Sequence, residues 1–303
     1  MTFTQKIKTE ILKIKNDKKC CRKAMLYGML LFSPWFEQGK VRFVSENRDT
    51  TEKAYKLIEE ILGKGSSELF STSTGEKTEY RVRIKDDEKC NELLESFGYT
   101  EGTTYRIISD NFKCDGCRAA FLRGAFLSCA SAVSPESSYH LEFVVSRFNL
   151  SRELLLLLKK IGYEGKYTKR NSHYIIYFKE SEAIVDIIAL IGAVTCSFDM
   201  TNLIIEKNIR NNCNRVANCE AANIQRTVAT ANRHREAIRG IYEHGLTGLL
   251  STELRETASL RIDNPDLSLI ELAEIHCPPV SKSCVNHRLK KICEIWDNEK
   301  NNM

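Results

Sequence analysis

The chain has 303 residues, of which 28% are charged and 42% hydrophobic, and its formal net charge is +5. This composition is that of an ordinary globular protein with room for two domains. No window approaches the roughly 18 consecutive apolar residues of a membrane span. The small positive charge does not identify a polyanionic partner, so the distribution of charge is more informative than its sum.

The amino-terminal segment MTFTQKIKTEILKIKNDK predicts an amphipathic helix with Phe3, Ile7, Ile11 and Ile14 on one face. Lysines and acidic residues interrupt it throughout, so it lacks the apolar core of a signal peptide. We therefore expect a cytoplasmic protein without a membrane partner.

One helical pattern occurs twice in the chain. Residues 21–33 read CRKAMLYGMLLFS and residues 117–129 read CRAAFLRGAFLSC. Each copy carries a glycine, Gly28 or Gly124, although glycine destabilises a helix interior by about 0.5–1 kcal/mol relative to alanine. Because glycine lets two backbones approach closely, the matching positions predict two helices that pack against each other through these residues.

The segments that follow each copy also match. Alternating apolar residues predict strands and 3.6-residue periodicity predicts helices, so each half reads helix, strand, helix, strand, helix. The two series lie about 95–100 residues apart, which indicates a duplicated α+β domain with pseudo-twofold symmetry. We place this domain at 1–205, with halves at about 1–100 and 101–205. The predicted strands are 41–47, 79–85, 139–146 and 173–178, and the predicted helices are 51–62, 87–98, 151–161 and 181–192.

The chain contains 12 cysteines, and two pairs of them resemble metal-binding knuckles. A zinc site needs four ligands, usually from two such knuckles. Cys20 and Cys21 are adjacent, which makes a poor knuckle, and the helical period requires Cys117 of the pair Cys114-x-x-Cys117 for packing. We therefore interpret the cysteines as small core residues and expect neither a metal site nor a cofactor.

Residues 206–243 form a segment rich in Asn, Ala and Arg, with helical periodicity from about Glu220 onward. The favoured interpretation is a solvated connector helix, and contact of some arginines with phosphates is the alternative. The arginines on its polar faces are Arg215, Arg226, Arg233, Arg235 and Arg239.

The carboxyl-terminal segment, 244–303, predicts three short helices in an all-α helix-turn-helix domain. The first runs from Ser251 to Ile262, the second opens with the capping box Ser268-x-x-Glu271, and the third begins at Ser281. The linker between the last two contains Pro278 and Pro279, which cannot continue a helix.

The third helix carries the candidate DNA-binding residues. Residues 281–291 contain four cations and no acid. In a helix-turn-helix, residues early in the second helix read bases in the major groove. Asn286 matches adenine and Arg288 matches guanine, whereas later lysines suit phosphates. A solvated basic face is the alternative interpretation. The candidate residues are Ser281, Lys282, Ser283, Asn286, His287, Arg288, Lys290 and Lys291.

Three segments, 121–143, 214–228 and 264–292, together with the paired glycine-containing helices, closely resemble the WhiA family of sporulation and cell-division transcription regulators of Gram-positive bacteria. The resemblance implies a degenerate LAGLIDADG homing-endonuclease-like domain joined to a helix-turn-helix similar to region 4 of a sigma factor. It also implies double-stranded DNA as the partner, a link to chromosome segregation in some members, and nucleoid association. We identify no small-molecule ligand from the sequence.

Active LAGLIDADG nucleases end each paired helix in an acidic residue that holds a divalent metal ion, because such ions require hard oxygen ligands. Aligning the two glycines with the motif places Ser33 and Cys129 at the acidic positions, and the nearest acids, Glu37 and Glu136, lie beyond prolines. We therefore expect no enzymatic activity.

Two alternatives to a purely DNA-binding regulator remain open. The chain could be a metal-dependent homing-type endonuclease, or its amino-terminal domain could bind a protein such as a sigma factor or RNA polymerase. The basic strand positions of the duplicated domain could line a DNA surface or simply be solvated. These positions are Arg81, Arg83, Lys85, Lys166, Lys169 and Arg170.

Overall fold

A computed structural model describes residues 1–15, 18–75 and 77–302. The chain divides into two compact units, Met1–Asn208 and Ile209–Met303. Among the described residues, no helix is long and apolar enough to cross a membrane.

The first unit is an α+β domain made of two similar halves. The α-helices that lie wholly within this unit are α1 (Phe3–Leu12), α2 (Lys19–Leu31), α3 (Arg48–Leu62), α4 (Asp87–Ser96), α5 (Gly116–Cys129), α6 (Phe148–Lys160) and α7 (Ser181–Leu190). Its strands are β1 (Phe36–Glu37), β2 (Lys40–Ser45), β3 (Ser67–Thr74), β4 (Lys77–Ile84), β5 (Ala130–Ala132), β6 (Leu141–Val145), β7 (Lys166–Arg170) and β8 (His173–Phe178).

The repeated helices α2 and α5 pack directly on each other at the centre of this unit, as the sequence predicts. A Cβ atom added to Gly28 would lie 2.1 Å from the carbonyl oxygen of Phe121, and one added to Gly124 would lie 2.1 Å from that of Met25. Any larger residue would therefore push the two backbones apart. Around this contact the apolar residues of both halves form one continuous core.

Each half contributes one antiparallel four-stranded sheet with the same topology. The strand orders are β1-β2-β4-β3 and β5-β6-β8-β7. The register pairs Phe43 with Val82 in the first sheet and Phe143 with Ile176 in the second, so equivalent buried pairs occupy equivalent places. The pseudo-twofold duplication is thereby confirmed.

The sequence-based order of elements omitted half of the strands. The edge strands β3 and β7 pair with β4 and β8 as hairpins, and β1 and β5 are short strands beside β2 and β6. All five residues of β7 are exposed, and β3 carries mostly Ser and Thr. Neither strand shows the apolar alternation that marks a half-buried strand, which is why the pattern missed them.

The connector is part of a single long helix, α8 (Val194–Glu243), which begins well before the predicted start near Glu220. Its first turn belongs to the first unit, where Glu10 of α1 accepts hydrogen bonds from the backbone amides of Thr195 and Cys196. Burial alone would raise the pKa of Glu10, but these amide donors lower it overall. A carboxylate at a helix amino terminus is stabilising because it satisfies orphan N–H groups and complements the macrodipole.

The second unit contains the larger part of α8, from Ile209 onward, followed by α9 (Thr252–Asp263), α10 (Leu269–Glu274) and α11 (Lys282–Asn302). Its core includes Ile238 and Ile241 of α8, so the compact unit begins before the predicted boundary at residue 244. The apolar stripe of each short helix faces this core. Its buried members from the three helices are Leu254, Ala258, Leu272, Ala273, Val285, Leu289 and Ile292.

Candidate nucleic-acid interface

The capping side chains that the sequence predicts lie at the starts of α9, α10 and α11. Ser251 accepts a hydrogen bond from the Leu254 amide, and Ser268 and Glu271 form a reciprocal capping box. Ser281 Oγ accepts from the Cys284 amide at 3.2 Å, which caps α11. Such caps each stabilise a helix by about 1 kcal/mol and fix where it begins.

Buried hydrogen bonds join α9 to α10 and to the loops on either side of α10. Thr257 Oγ1 lies 2.9 Å from His276 Nε2, and His276 Nδ1 lies 2.7 Å from the carbonyl oxygen of Leu272. Arg261 Nη1 donates to the carbonyl oxygen of Leu267 at 2.6 Å, which holds the loop between α9 and α10. Because Thr257 and His276 are buried and hydrogen-bonded to each other, they favour one arrangement of the turn over others.

The outer face of α11 presents most of the predicted DNA-binding residues to solvent. Val285, Leu289 and Ile292 point into the core, which leaves the opposite face free. Residues four apart share a face of a helix, so the exposed side chains form two adjacent rows. Together with the cap Ser281, the exposed members of these rows are Lys282, Asn286, Lys290, Ser283, His287 and Lys291.

Arg288 differs from the other predicted site residues, because it is half-buried. Its Nη1 lies 3.4 Å from Thr257 Oγ1 on α9. The sequence-based expectation was that this guanidinium contacts guanine directly. The contact with Thr257 occupies one of the five N–H donors of the guanidinium, and the Thr257 hydroxyl also interacts with His276.

The cations of this face are weakly restrained by neighbouring acids. Lys290 Nζ lies 3.9 Å from Glu294 Oε1, one turn further along α11, and both side chains are largely exposed. Exposed pairs of this kind contribute only about 0–1 kcal/mol, so the lysine can exchange its partner readily. Within the described part of the chain, Lys282 and Lys291 form no salt bridge.

A cavity of about 360 Å³ lies within the second unit, beside the start of α11. Three of its lining residues are the cations Arg226, Arg261 and Lys282. Burial, followed by the charges of Arg261 and Arg233, lowers the pKa of His234 in the wall to about 4, so the imidazole is neutral at pH 7. These residues come from three separate segments of the chain, so no local sequence pattern predicts that they line one cavity.

The ends of the paired helices in the first unit lack the carboxylates of a nuclease. Ser33, directly after α2, is buried and donates from Oγ to the carbonyl oxygen of Arg42 at 2.8 Å. Cys129 ends α5, and burial raises the pKa of its thiol to about 12. A neutral thiol and a hydroxyl that already donates a hydrogen bond are poor ligands for Mg²⁺.

A lysine lies at the carboxyl end of α5. Lys8 of α1 donates from Nζ to the carbonyl oxygen of Leu127 at 3.0 Å, at the carboxyl end of α5. A cation there satisfies an orphan carbonyl and complements the helix dipole. Glu37, one of the nearest acids, pairs with Arg147 at 3.2 Å.

Comparison with known proteins decides the family. Residues 22–106 and 118–210 match the model of the WhiA LAGLIDADG-like domain, and residues 213–296 match that of the WhiA C-terminal HTH domain. The probable cell division protein WhiA of Clostridium botulinum strain Hall is 35% identical over an alignment 311 residues long, gaps included, which covers 98% of each chain. This chain belongs to the WhiA family.

Two further relatives agree with this assignment. The probable cell division protein WhiA of Desulforamulus reducens is 34% identical and covers 96% of this chain and 94% of its own. The crystal structure of full-length DUF199/WhiA from Thermatoga maritima covers 98% of this chain and 99% of its own, with a TM-score of 0.60 and 22% identity. The α+β fold with a LAGLIDADG-like domain and a helix-turn-helix domain, predicted from the sequence, is thus confirmed for this WhiA-family chain.

The basic strand residues of the WhiA LAGLIDADG-like domain fall into two groups. In the first sheet, Arg81 pairs with Glu79 at 2.8 Å and Arg83 pairs with Glu68 at 3.0 Å. In the second sheet the predicted cations of β7 are exposed, and no salt bridge to them is found among the described residues. The second sheet therefore offers the more available positive charge.

Proposed function

We propose that this WhiA-family chain is a sequence-specific DNA-binding transcription regulator that acts in cell division, chromosome segregation or sporulation, and is not an enzyme. The observation that carries this proposal is the exposed, acid-free polar face at the start of α11, supported on the apolar core of the second unit. The relatives named as probable cell division proteins support the cellular role. A regulator of this kind would lie on the nucleoid.

The side chains of this face suit both the bases and the phosphates of duplex DNA. Asn286 is exposed in the second turn of α11, where the amide can pair with both N6 and N7 of adenine. Lys282, Lys290 and Lys291 supply charge for phosphates on either side of such a base contact. Ser281 and Ser283, whose hydroxyl oxygens lie 2.9 Å apart, can donate to phosphate or base oxygens.

The absence of catalysis rests on the ends of the paired helices. Metal-assisted phosphodiester cleavage needs hard oxygen ligands beside the scissile phosphates. The positions that would carry them are Ser33 and Cys129, and the ammonium group of Lys8 lies at the carboxyl end of α5. We therefore assign the amino-terminal domain a structural or binding role.

The test is selection of duplex DNA from a random pool by the full-length chain, followed by affinity measurements on the selected and scrambled duplexes. A sequence-specific regulator should favour the selected duplex by about 10³-fold or more. Asn286→Ala should cost about 1–3 kcal/mol and relax the preference at one base pair. Lys300→Ala, an exposed cation near the far end of the same helix, is the matched control and should leave the preference unchanged.

A second experiment tests separately whether the chain lacks nuclease activity. Supercoiled plasmid and the selected duplex are incubated with the chain and Mg²⁺ or Mn²⁺. We expect the DNA to remain intact. Equal affinity for selected and scrambled duplexes would contradict the regulatory proposal, and sustained metal-dependent nicking would contradict the absence of catalysis.

A further inference from the structure

Four cysteines from distant parts of the sequence converge at the amino-terminal ends of the paired helices. Cys20 and Cys21 lie in the first turn of α2, Cys117 is the second residue of α5, and Cys114 lies just before α5. All four Sγ atoms lie within 4.8 Å of one another. In the described part of the chain, this is the one group of His, Cys, Asp and Glu side chains close enough to hold a metal ion.

The distances between the sulfur atoms fit a tetrahedral metal site. Cys114 Sγ lies 3.6 Å from Cys20 Sγ, 3.4 Å from Cys21 Sγ and 3.5 Å from Cys117 Sγ. Cys21 Sγ lies 4.0 Å from Cys117 Sγ. With Zn–S bonds of about 2.3 Å, the edge of a regular tetrahedron of sulfurs is about 3.8 Å. Iron–sulfur clusters spread their thiolates over several iron atoms and require wider separations.

The local backbone shapes the second pair of ligands into a turn. The Cys117 amide donates to the carbonyl oxygen of Cys114 at 2.9 Å, which brings both side chains to the same side. Gly116 lies against the sulfurs, because a Cβ atom at that position would be 3.4 Å from Cys21 Sγ. The backbone at Gly116 therefore lies within van der Waals distance of the sulfur cluster.

Cationic residues adjoin both pairs of cysteines along the sequence. Four thiolates and one Zn²⁺ carry a net charge of −2, which nearby cations stabilise. The first pair of cysteines is flanked by Lys18, Lys19, Arg22 and Lys23, and the second by Lys113 and Arg118. The flanks contain few acids in return, among them Asp115 between the two cysteines of the second pair.

Packing alone does not explain the arrangement. Cys20 and Cys114 are only partly buried, so they are not simply small core residues. The buried cysteines Cys90 and Cys293, by contrast, lie in no such group. The sequence-based interpretation rejected a four-ligand site because of the spacing within each pair. The structure shows that the two pairs meet at the amino ends of α2 and α5.

We propose that Cys20, Cys21, Cys114 and Cys117 bind one structural Zn²⁺ ion that clamps the two halves of the amino-terminal domain together. Four sulfur ligands leave no open position for water or substrate, which is the property of a structural site. The ligands lie at the opposite ends of α2 and α5 from Ser33 and Cys129. Twelve helical residues separate Cys117 from Cys129, which is about 18 Å along the helix axis. The zinc is therefore separate from any position at which the LAGLIDADG fold would cut DNA.

The experiment measures zinc and iron by plasma mass spectrometry in the full-length chain, purified without chelator from cells grown with added zinc. We expect one zinc per chain in the wild type and its loss in Cys114→Ser/Cys117→Ser. The matched control is Cys213→Ser/Cys219→Ser, which removes two exposed cysteines of α8 and should retain the zinc. Replacement of the zinc by Co²⁺ should give the intense visible bands of a tetrahedral tetrathiolate complex.

Removal of zinc with a strong chelator should lower the Tm of the wild type by at least about 5 °C, because the ion binds the folded state. The stoichiometry and cobalt spectrum of the wild type decide the proposal even where the cysteine variant does not fold. Wild-type protein without zinc, with iron in its place, or with a disulfide among these four residues would overturn the proposal. Equal loss of zinc in the control would overturn the assigned ligands.

Discussion

Replacing Lys290 and Lys291 together by alanine tests whether α11 contacts phosphates. Both side chains are exposed, and the pair between Lys290 and Glu294 is a weak surface interaction, so the folded domain should be unaffected. Each phosphate contact contributes about 0.9 to the slope of log K against log salt concentration. Loss of two contacts should therefore flatten the slope by about 1.8.

This change in slope gives a measurable difference in affinity. Between about 50 and 200 mM salt, two contacts account for about a twelvefold change in the binding constant. The ratio of the wild-type binding constant to that of the double variant should therefore fall about twelvefold as salt rises over that range. Fluorescence anisotropy with the selected duplex measures both constants. Lys300→Ala serves as the control. An unchanged slope in the double variant would refute the reasoning that these lysines meet phosphates.

Three further predictions concern the fold. Gly28→Ala should destabilise the first unit by about 3 kcal/mol, because the new Cβ would lie 2.1 Å from the backbone oxygen of Phe121. In the control Gly248→Ala, the new Cβ meets nothing within 4 Å, so the free energy of unfolding should change by less than about 0.5 kcal/mol. Equal effects of the two substitutions in urea unfolding would contradict the close contact between Gly28 and Phe121. Ser268→Ala should cost about 1 kcal/mol through loss of the capping box, and an unchanged unfolding midpoint would argue against that cap. Glu10→Gln should destabilise the protein at about pH 7, because the folded state lowers the pKa of Glu10. The stabilisation by the carboxylate is present above its ordinary pKa and disappears as pH falls through the folded value, so the difference in Tm from the wild type should be smaller at about pH 3 than at about pH 7. A difference in Tm that is the same at both pH values would contradict that interpretation.

The sequence predicts those parts of the fold in which buried residues recur with the period of a helix or a strand. The glycines of α2 and α5 were informative because glycine is costly in a helix unless a neighbouring backbone occupies the space. The caps at Ser251, Ser268 and Ser281 were also readable, since a cap is a local interaction between residues three apart.

The parts that were missed depend on partners distant in the sequence. The edge strand β7 is wholly exposed, so its identity comes from pairing with β8 and not from its own residues. The half-buried position of Arg288 depends on Thr257 of α9, about thirty residues earlier. The four-cysteine cluster required knowing that the amino ends of α2 and α5 lie side by side, which neither pair of cysteines reveals alone.

The most direct test of the central claim, that the start of α11 contacts duplex DNA, is site-specific photo-crosslinking. A photoreactive phenylalanine analogue at His287 lies on the exposed face, and one at Lys300 lies near the far end of the same helix. We expect irradiation of the full-length chain with its selected duplex to crosslink DNA from His287 and not from Lys300. Crosslinking from Lys300 alone, or from neither position while the duplex is bound, would contradict the account.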